Sequence, residues 1–375
     1  MKPDFFDSEM MQRCIQIARK ATGKTAPNPL VGAIIVQDKK IVGEGFHPSA
    51  GKPHAEVFAL ENAGENAKNA TVYVNLEPCN HYGRTPPCTE ALIAAGVAKV
   101  IVGMVDPDPR VSGKGIERLR NAGIEVIVGV EELACQQLNE GFTHRILHQR
   151  PFGILKYAMT LDGKIATTTG HSAWVTSPAS RHWVHQLRAA CDAVIVGGNT
   201  VRRDRPHLTT HGVATHNPLR VVMTRSFDLP LDCHLWDTQE VPTLVFTESK
   251  MLSERSRTAT TNLQARGVEV LELPQLTPDG VMECLAQRGL NTVLWECGGN
   301  LAAKAIASHN IQKVFAFIAP KIIGGETAPS PVGDLGLTTM TQALQLKNIK
   351  INTIESDILI EGYLSNNSDI IQTWS

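Results

Sequence analysis

Apolar positions along the chain change period several times, and those changes divide it into elements. Met11, Cys14, Ile15 and Ala18 fall at helical spacing behind Asp7 or Ser8, which predicts an amphipathic helix over residues 7–21. The following stretch, VGAIIVQDKKIVGEGF, reads as two strands joined by a polar turn at Gln37 to Lys40. Helices are then expected at 54–63, 89–95 and 115–122, alternating with strands at 71–76, 97–102 and 124–128, an order that implies a layered α/β domain. A helical segment over 131–148 closes this series. Arg150 and Pro151 break the pattern, and a second α/β series opens with FGILKYAMTLDGKIA. Its strands are expected at DAVIVGG, LRVVMT, PTLVFT, VEVLEL, NTVLWECGG and KVFAFIAPKIIGG, with helices such as SRHWVHQLRAA and MECLAQRG between several of them. LQLKNIKINTIESDILIEGYL reads as a closing hairpin, and the polar tail SNNSDIIQTWS as a frayed end. The expected domains are 1–148 and 149–375, with no internal repeat relating them.

Length supports that division, since 375 residues are long for one core. With 42% hydrophobic and 19% charged residues, the composition is that of a compact soluble protein. The 36 Lys and Arg nearly balance the 37 Asp and Glu, so no global field holds a nucleic-acid backbone or an anionic membrane, and a small-molecule substrate is expected. The opening MKPDFFDSEMMQRC carries acids and lacks a long apolar run, unlike a secretory or transit peptide. No stretch approaches the roughly 18 apolar residues of a membrane span, and a cytoplasmic protein is expected. The eight cysteines then read as thiols or ligands, with Cys14, Cys135, Cys191 and Cys284 as small apolar fillers.

Chemistry enters with His54-Ala55-Glu56, then Pro78-Cys79, then Cys88. One imidazole and two thiolates are suitable zinc ligands and leave the fourth position open for water, while Glu56 remains as a proton shuttle toward a departing ring amine. His54 opens a helix after Gly51-Lys52-Pro53, and Cys88 opens another after Pro86-Pro87, where unpaired amides favour a thiolate. A His-x-Glu alone is a chance tripeptide and a lone Cys a core filler; the ordered set is what points to deaminase chemistry. A structural zinc would close with a fourth ligand, for which His81 is the nearby candidate. One departure stands out, because base deaminases carry Pro-Cys-x-x-Cys whereas NHYGRTPP separates Cys79 from Cys88.

That expanded loop, with PNPLVGA at 27–33 and GEGFHPSAGKPHAE at 43–56, resembles the deaminase half of the bifunctional riboflavin-biosynthesis deaminase/reductases, which act on a 2,5-diamino-6-(5-phosphoribosylamino)pyrimidinone. The resemblance implies a cytidine-deaminase-like α/β/α domain in which Asn28, His47, His81 and Arg84 line the pocket, with Lys52 or Arg84 facing the phosphate. On residue chemistry alone, Asn28 is equally a turn residue and Arg84 a solvated charge.

In the second half, VIVGGNTV, VLWECGGNLAAKA and FIAPKIIGGE each end a strand in a glycine-bearing turn, and Gly298-Gly299-Asn300 is the best placed to meet a phosphate with backbone amides. Such turns also end ordinary elements, and no GxGxxG is present. LKYAMTLDGKIATTTGHSAW, GGNTVRRDRPHLT and ECGGNLA, in that order, resemble the reductase half of the same family, and the combined match covers roughly residues 5–364. It implies a dihydrofolate-reductase-like α/β fold binding NADPH through Ala158, Trp174, Thr200, Asp204 and the turn-helix Gly298, Gly299, Asn300, Leu301, Ala302, Ala303 and Lys304. It implies substrate contacts at Ser172, Arg188, Leu208 and Glu296. Lys156, a charge inside an apolar strand, calls for a partner and an active-site role. Arg202, Arg203 and Arg225 are basic residues near strand ends suited to a 2′-phosphate. His211 departs from the family, which usually carries Arg after Leu-Thr, and an imidazole holds a phosphate more weakly. The expected whole is therefore a Zn2+- and NADPH-dependent bifunctional enzyme, and a homo-oligomer, dimer or tetramer, is expected. Its rivals are a nucleic-acid base deaminase with an unrelated partner domain and a non-catalytic nucleotide-binding regulator with structural zinc; only 5% aromatic residues and balanced charge speak against the first.

Overall fold

The computed structural model describes residues 4–82 and 86–365; Arg84 and the end of the polar tail lie outside the described residues. The chain forms two compact units, the first ending at Gln149 and the second starting at Arg150.

In the first unit, α1 (Phe5–Ala18) buries Met10, Met11, Cys14, Ile15, Ile17 and Ala18, and its expected last turn tightens into a 3-10 turn at Arg19–Ala21. There follow β1 (Gly32–Gln37), β2 (Lys40–Phe46), α2 (Ala55–Ala63), β3 (Thr71–Leu76), α3 (Cys88–Ala94), β4 (Lys99–Met104), α4 (Lys114–Asn121), β5 (Glu125–Val128), α5 (Glu132–Leu138) and α6 (Glu140–His148). The single helical segment expected at 131–148 is thus two helices. They break at Asn139, whose side chain binds both backbone groups of Leu30, accepting from its N–H at 2.8 Å and donating to its carbonyl at 3.0 Å.

The sheet order is β2-β1-β3-β4-β5, with β3, β4 and β5 parallel and β1 antiparallel to both of its neighbours. Strand alternation sends Ile35, Val72, Val74, Val100 and Val102 to one face, where they meet Ala55, Ala59, Leu92, Ile116 and Leu119 of α2, α3 and α4. Ile34, Val36, Tyr73 and Ile101 point the other way, onto Met11 and Ile15 of α1 and Cys135 of α5. The result is the expected α/β/α layering.

Small residues set where α2 begins. A Cβ at Gly43 would stand 2.3 Å from the Ala59 carbonyl, and one at Gly45 2.3 Å from the Ala55 carbonyl. With Ala55, Ala59 and Ala63 at i, i+4 and i+8 facing them, the helix lies directly on β2, and its cap residue, His54, is held at the end of the hairpin.

The second unit runs β6 (Phe152–Thr160), α7 (Pro178–Ala190), β7 (Ala193–Gly197), α8 (Gly198–Asp204), β8 (Leu219–Met223), β9 (Thr243–Glu248), α9 (Glu254–Gln264), β10 (Glu269–Leu273), α10 (Pro278–Gln287), β11 (Thr292–Trp295), α11 (Gly299–Ala307), β12 (Lys313–Ala319), β13 (Leu346–Ile354) and β14 (Asp357–Leu364). Its sheet order is β10-β9-β8-β7-β11-β6-β12-β14-β13. Strands β10 through β12 are parallel, and the closing hairpin β13-β14 adds antiparallel to β12. One face packs on Val281, Met282 and Leu285 of α10 and on Ala302, Ala305 and Ile306 of α11. On the opposite face, the Trp183 ring of α7 packs tilted against Phe315 and edge-on against Phe317 of β12. That same face carries Lys156.

Candidate active sites

In the first unit, the start of α2, the end of β3 and the start of α3 converge. His54 Nδ1 lies 3.2 Å from Cys88 Sγ and 3.5 Å from Cys79 Sγ, and the Cys88 N–H donates to Cys79 Sγ at 3.4 Å. The three ligand atoms fall within 4.8 Å of one another. Hydrogen bonds from Cys88 and His54 hold the Cys79 thiol well below its ordinary range. The hydrogen bond to Cys79, together with burial, pushes the Cys88 thiol up. Glu56, the second residue of α2, is 3% exposed, and its Oε2 has no hydrogen-bond partner among the described residues. Burial and the adjacent Cys79 push its carboxyl up to about 7. An imidazole nitrogen and two sulfurs around one point, with an unsatisfied buried carboxylate oxygen beside them, fit a zinc ion with an open position.

Beside this cluster, the His47 ring donates from Nδ1 to the Pro53 carbonyl at 3.1 Å, which leaves Nε2 to accept from Asn28 Nδ2 at 2.9 Å. The His47 ring meets the His54 ring edge-on at 5.5 Å. Asn28 thus lies beside the cluster, tied to it through His47. It follows a cis Ala26–Pro27 bond, in a loop held by two side chains that sequence reasoning missed, Asn139 and Asn75. Asn75 accepts from the Gly32 N–H at 2.7 Å and donates to the Leu30 carbonyl at 2.9 Å. His81 is exposed, on the segment between the cysteines, near Asp106 and Asp108. Lys52 is also exposed.

In the second unit, Lys156 of β6, Arg188 of α7 and Glu296 after β11 come together. Arg188 forms a two-pronged ion pair with Glu296, Nε to Oε1 at 2.6 Å and Nη2 to Oε2 at 3.0 Å, and also donates to the Thr209 carbonyl at 3.0 Å. Lys156 Nζ stands 4.0 Å from Glu296 Oε2 and 5.8 Å from the centre of the Phe317 ring. Burial holds the Lys156 ammonium below its usual range, with Glu296 opposing and Arg188 reinforcing the shift. Burial works against the charge on Glu296, but Arg188 outweighs it and the carboxyl is lowered. Lys156 thus has the partner its burial demands.

His211 stacks on His185 with ring centres 4.2 Å apart, and His207 lies 6.0 Å farther along. Burial, His211 and Arg188 hold His185 at about 4, and burial and Arg188 also lower His211. His185 and His207 gave no signal in the sequence, because their neighbours lie in other elements. Leu208 is buried with φ +57°, between His207 and the Thr209 carbonyl that receives Arg188.

Ser172 and Asp204 also meet, the hydroxyl donating to the carboxylate at 3.3 Å. Thr200 sits on α8 one turn before Asp204. Trp174 is 69% exposed with φ +62°, Arg181 covers its ring at 4.3 Å, and Lys321 donates to its carbonyl at 2.7 Å. Ala158, on β6, pairs with Phe317 of β12. Arg225 is exposed just past β8, whereas Arg202 is tied to the Asp228 carbonyl at 2.6 Å. The turn into α11 divides by residue. Gly298 faces open space, but Gly299 is close-packed, since a Cβ there would lie 2.7 Å from the Ser330 carbonyl. Ala302 and Ala303 are buried, while Asn300, Leu301 and Lys304 are accessible. Helix α11 begins without a side-chain cap, so its first N–H groups suit an anionic ligand such as a dinucleotide phosphate.

Residues 5–104 match the cytidine and deoxycytidylate deaminase zinc-binding region, and residues 151–360 the RibD C-terminal domain. The chain is 63% identical to the riboflavin biosynthesis protein RibD of Synechocystis sp., over 97% of this chain and 98% of that one. It is 43% identical to RibD of Aquifex aeolicus, over 94% and 97% respectively. Among solved structures, RibD of Acinetobacter baumannii superposes with a TM-score of 0.85 at 37% identity, covering 96% of this chain and 99% of that one. The diaminohydroxyphosphoribosylaminopyrimidine deaminase/5-amino-6-(5-phosphoribosylamino)uracil reductase of Thermotoga maritima gives 0.83 at 35%, with the same coverage. Both halves match one family in one order, so neither an unrelated partner domain nor a non-catalytic regulator remains as a reading. The chain belongs to the RibD family of bifunctional riboflavin-biosynthesis enzymes, which join a zinc-binding deaminase domain to a reductase domain.

Proposed function

We propose that residues 1–148 deaminate 2,5-diamino-6-(5-phosphoribosylamino)pyrimidin-4(3H)-one by hydrolysis and that residues 149–375 reduce the product, with NADPH, to 5-amino-6-(5-phosphoribitylamino)uracil. The observation that carries this reading is the buried, unpartnered Glu56 oxygen beside three zinc-type ligand atoms. His54, Cys79 and Cys88 hold Zn2+, which when bound activates water for attack on the ring carbon. Glu56, whose carboxyl titrates near neutrality, takes a proton from that water and returns it to the leaving amine as ammonia departs. Asn28, His47, His81 and Arg84 orient the pyrimidine.

In the second reaction NADPH, when bound, would supply a hydride for the sugar C1. Its seat is Ala158, Trp174, Thr200, Asp204, Arg225 and the turn into α11 from Gly298 to Lys304. Ser172, Arg188, Leu208, His211 and Glu296 position the phosphoribosyl chain. Lys156 Nζ, a buried ammonium with a lowered pKa, is placed to give a proton to the opening sugar.

Mass spectrometry of the diaminopyrimidine incubated with protein tests the reading: exchange of an amine for oxygen alone, then gain of two hydrogens once NADPH is added. Cys79→Ser and Cys88→Ser should each lose zinc by elemental analysis; full zinc content in both overturns the ligand set.

A cytoplasmic setting, with a small molecule as partner in place of nucleic acid or membrane, belongs to the same reading. Cys14, Cys79, Cys88, Cys135, Cys233, Cys284 and Cys297 are free thiols, and no helix among the described residues is long and apolar enough to cross a membrane. Homo-oligomerisation is supported by the edge strand β13, which exposes Ile349 and Ile351 at 54% and 68% beside its free backbone edge. Sedimentation of an Ile351→Lys variant as a smaller species than the parent checks it.

A further inference from the structure

Glu77 takes no part in the chemistry above, yet it is 3% exposed and directly follows β3, two residues before Cys79. Among the described residues its carboxylate forms no salt bridge. Instead it accepts four backbone N–H groups: Oε2 from Asp106 at 3.2 Å and Gly113 at 2.9 Å, Oε1 from Gly115 at 2.8 Å and Ile116 at 3.2 Å. Those amides span the loop between β4 and α4 and the first turn of α4. One buried charge, desolvated at considerable cost unless its lone pairs are filled, thus draws the whole 106–116 segment onto the end of β3.

The splinted segment in turn grips both sides of Cys79. A Cβ at Gly115 would stand 2.1 Å from the Pro78 carbonyl, so α4 rests directly on the peptide preceding Cys79. On the other side Asn80 donates to the Lys114 carbonyl at 3.4 Å and accepts from the Thr89 hydroxyl at 2.9 Å, and the Thr89 N–H donates to the Cys79 carbonyl at 3.2 Å. The Pro78-Cys79-Asn80 backbone is therefore fixed from above by α4 and from below by the start of α3. The thiol that must meet His54 and Cys88 has no slack of its own.

We propose that Glu77 is a positioning residue for the metal centre: by splinting the 106–116 segment against Pro78 and Asn80 it fixes the Cys79 sulfur, and so sets how tightly zinc is held. The proposal rests on Cys79 being a zinc ligand. Outer contacts that orient a ligand typically contribute 10–100-fold to metal affinity. Glu77→Gln keeps the shape but turns an NH2 group toward two of the four amide donors, so the clamp loses half its acceptors.

The test measures zinc affinity of the full chain by competition with a chromophoric chelator, together with the visible ligand-field bands of the Co2+-substituted protein. Glu77→Gln should weaken zinc binding 10–100-fold and shift the Co2+ bands, with NADPH-dependent reduction of the deaminated substrate unchanged. A folded Glu77→Gln protein with parental zinc affinity and parental Co2+ bands overturns the proposal and leaves Glu77 as a plain cap of α4. Where Glu77→Gln does not fold, Glu77→Asp, which shortens the reach by one methylene, must weaken zinc binding in the same sense, and parental affinity there overturns it equally. Cys79→Ser separates the two levels of the argument: zinc retained in that variant defeats the ligand assignment, whereas zinc lost in Cys79→Ser but held normally in Glu77→Gln defeats only the positioning role.

Discussion

Replacing Glu296 by Gln removes the one negative charge between two buried cations. Arg188 and Glu296 expose only 12% and 11% of their side chains, and Lys156 17%. At the 2.6 Å and 3.0 Å separations observed, unit charges attract by about 6 kcal/mol at an effective dielectric of about 20. Desolvation offsets much of that attraction in the intact pair, but the variant keeps the desolvated cations and loses their counter-charge, a change that costs about 3–5 kcal/mol. For a unit of this size each kcal/mol lowers the midpoint by about 2–4 °C, so the second unit should melt about 6–20 °C earlier.

Tryptophan fluorescence follows the second unit through Trp174, Trp183, Trp236 and Trp295, and residues 1–149 contain no tryptophan. The pH dependence has a definite sign. A lysine whose folded pKa lies below its ordinary value binds fewer protons folded than unfolded between those two values, so stability rises with pH across that window. Without Glu296, Lys156 is lowered further, and the window should widen toward neutrality. Glu296→Gln combined with Arg188→Met should recover part of the loss. A single variant that melts within about 2 °C of the parent refutes the reasoning, since no uncompensated charge was then created.

Glu56→Gln should cut deamination by about 10²–10⁴-fold, in turnover more than in KM, while sparing reduction of the deaminated substrate. Loss of both activities in the folded variant defeats the assignment of separate sites. His185 titrates at about 4 when folded and at the ordinary imidazole value when unfolded, so unfolding takes up a proton between them. Stability of the second unit should therefore fall as pH drops through that range, and His185→Asn should flatten the slope seen by tryptophan fluorescence. NADPH should be preferred over NADH by at least about tenfold in kcat/KM, with Arg225→Ala narrowing the gap through its lost phosphate contact; equal efficiency in the parent rules this out.

How far the sequence could be read depended on how local the cause was. His54, Glu56, Cys79 and Cys88 sit in short strings whose chemistry is legible without a fold, and the strands of both units are apolar runs bounded by turns. Helix α9 escaped notice because ERSRTATTNLQ is polar almost throughout; it forms behind the Ser253 cap, which accepts from the Ser256 N–H, and buries little beyond Ser256, Thr260 and Leu263. Glu77, Asn75 and Asn139 were silent for another reason. Their partners are backbone amides and carbonyls 29 to 109 positions away, and a backbone group carries no sequence signature. Gly299 carries a packing constraint that the sequence did not show: a Cβ there would meet the 330–333 loop. Gly43 and Gly45, unremarked in the hairpin, are what let α2 carry His54 into place.

The strand order of the second unit bears on how the chain is made. Strands β6 and β7 leave the ribosome early, yet they are not neighbours; β11, synthesised about a hundred residues later, fills the gap between them. Until Trp295 has emerged, the middle of that sheet has nothing to close on, and its outer edge waits longer still for β14. The first unit draws every one of its strands from its own span and can close as soon as that span is free. Synthesis therefore delivers a finished first half tethered to an unfinished second, whose apolar strands are exposed for the remainder of translation. In a cell short of chaperones it is the reductase half whose yield should fail first.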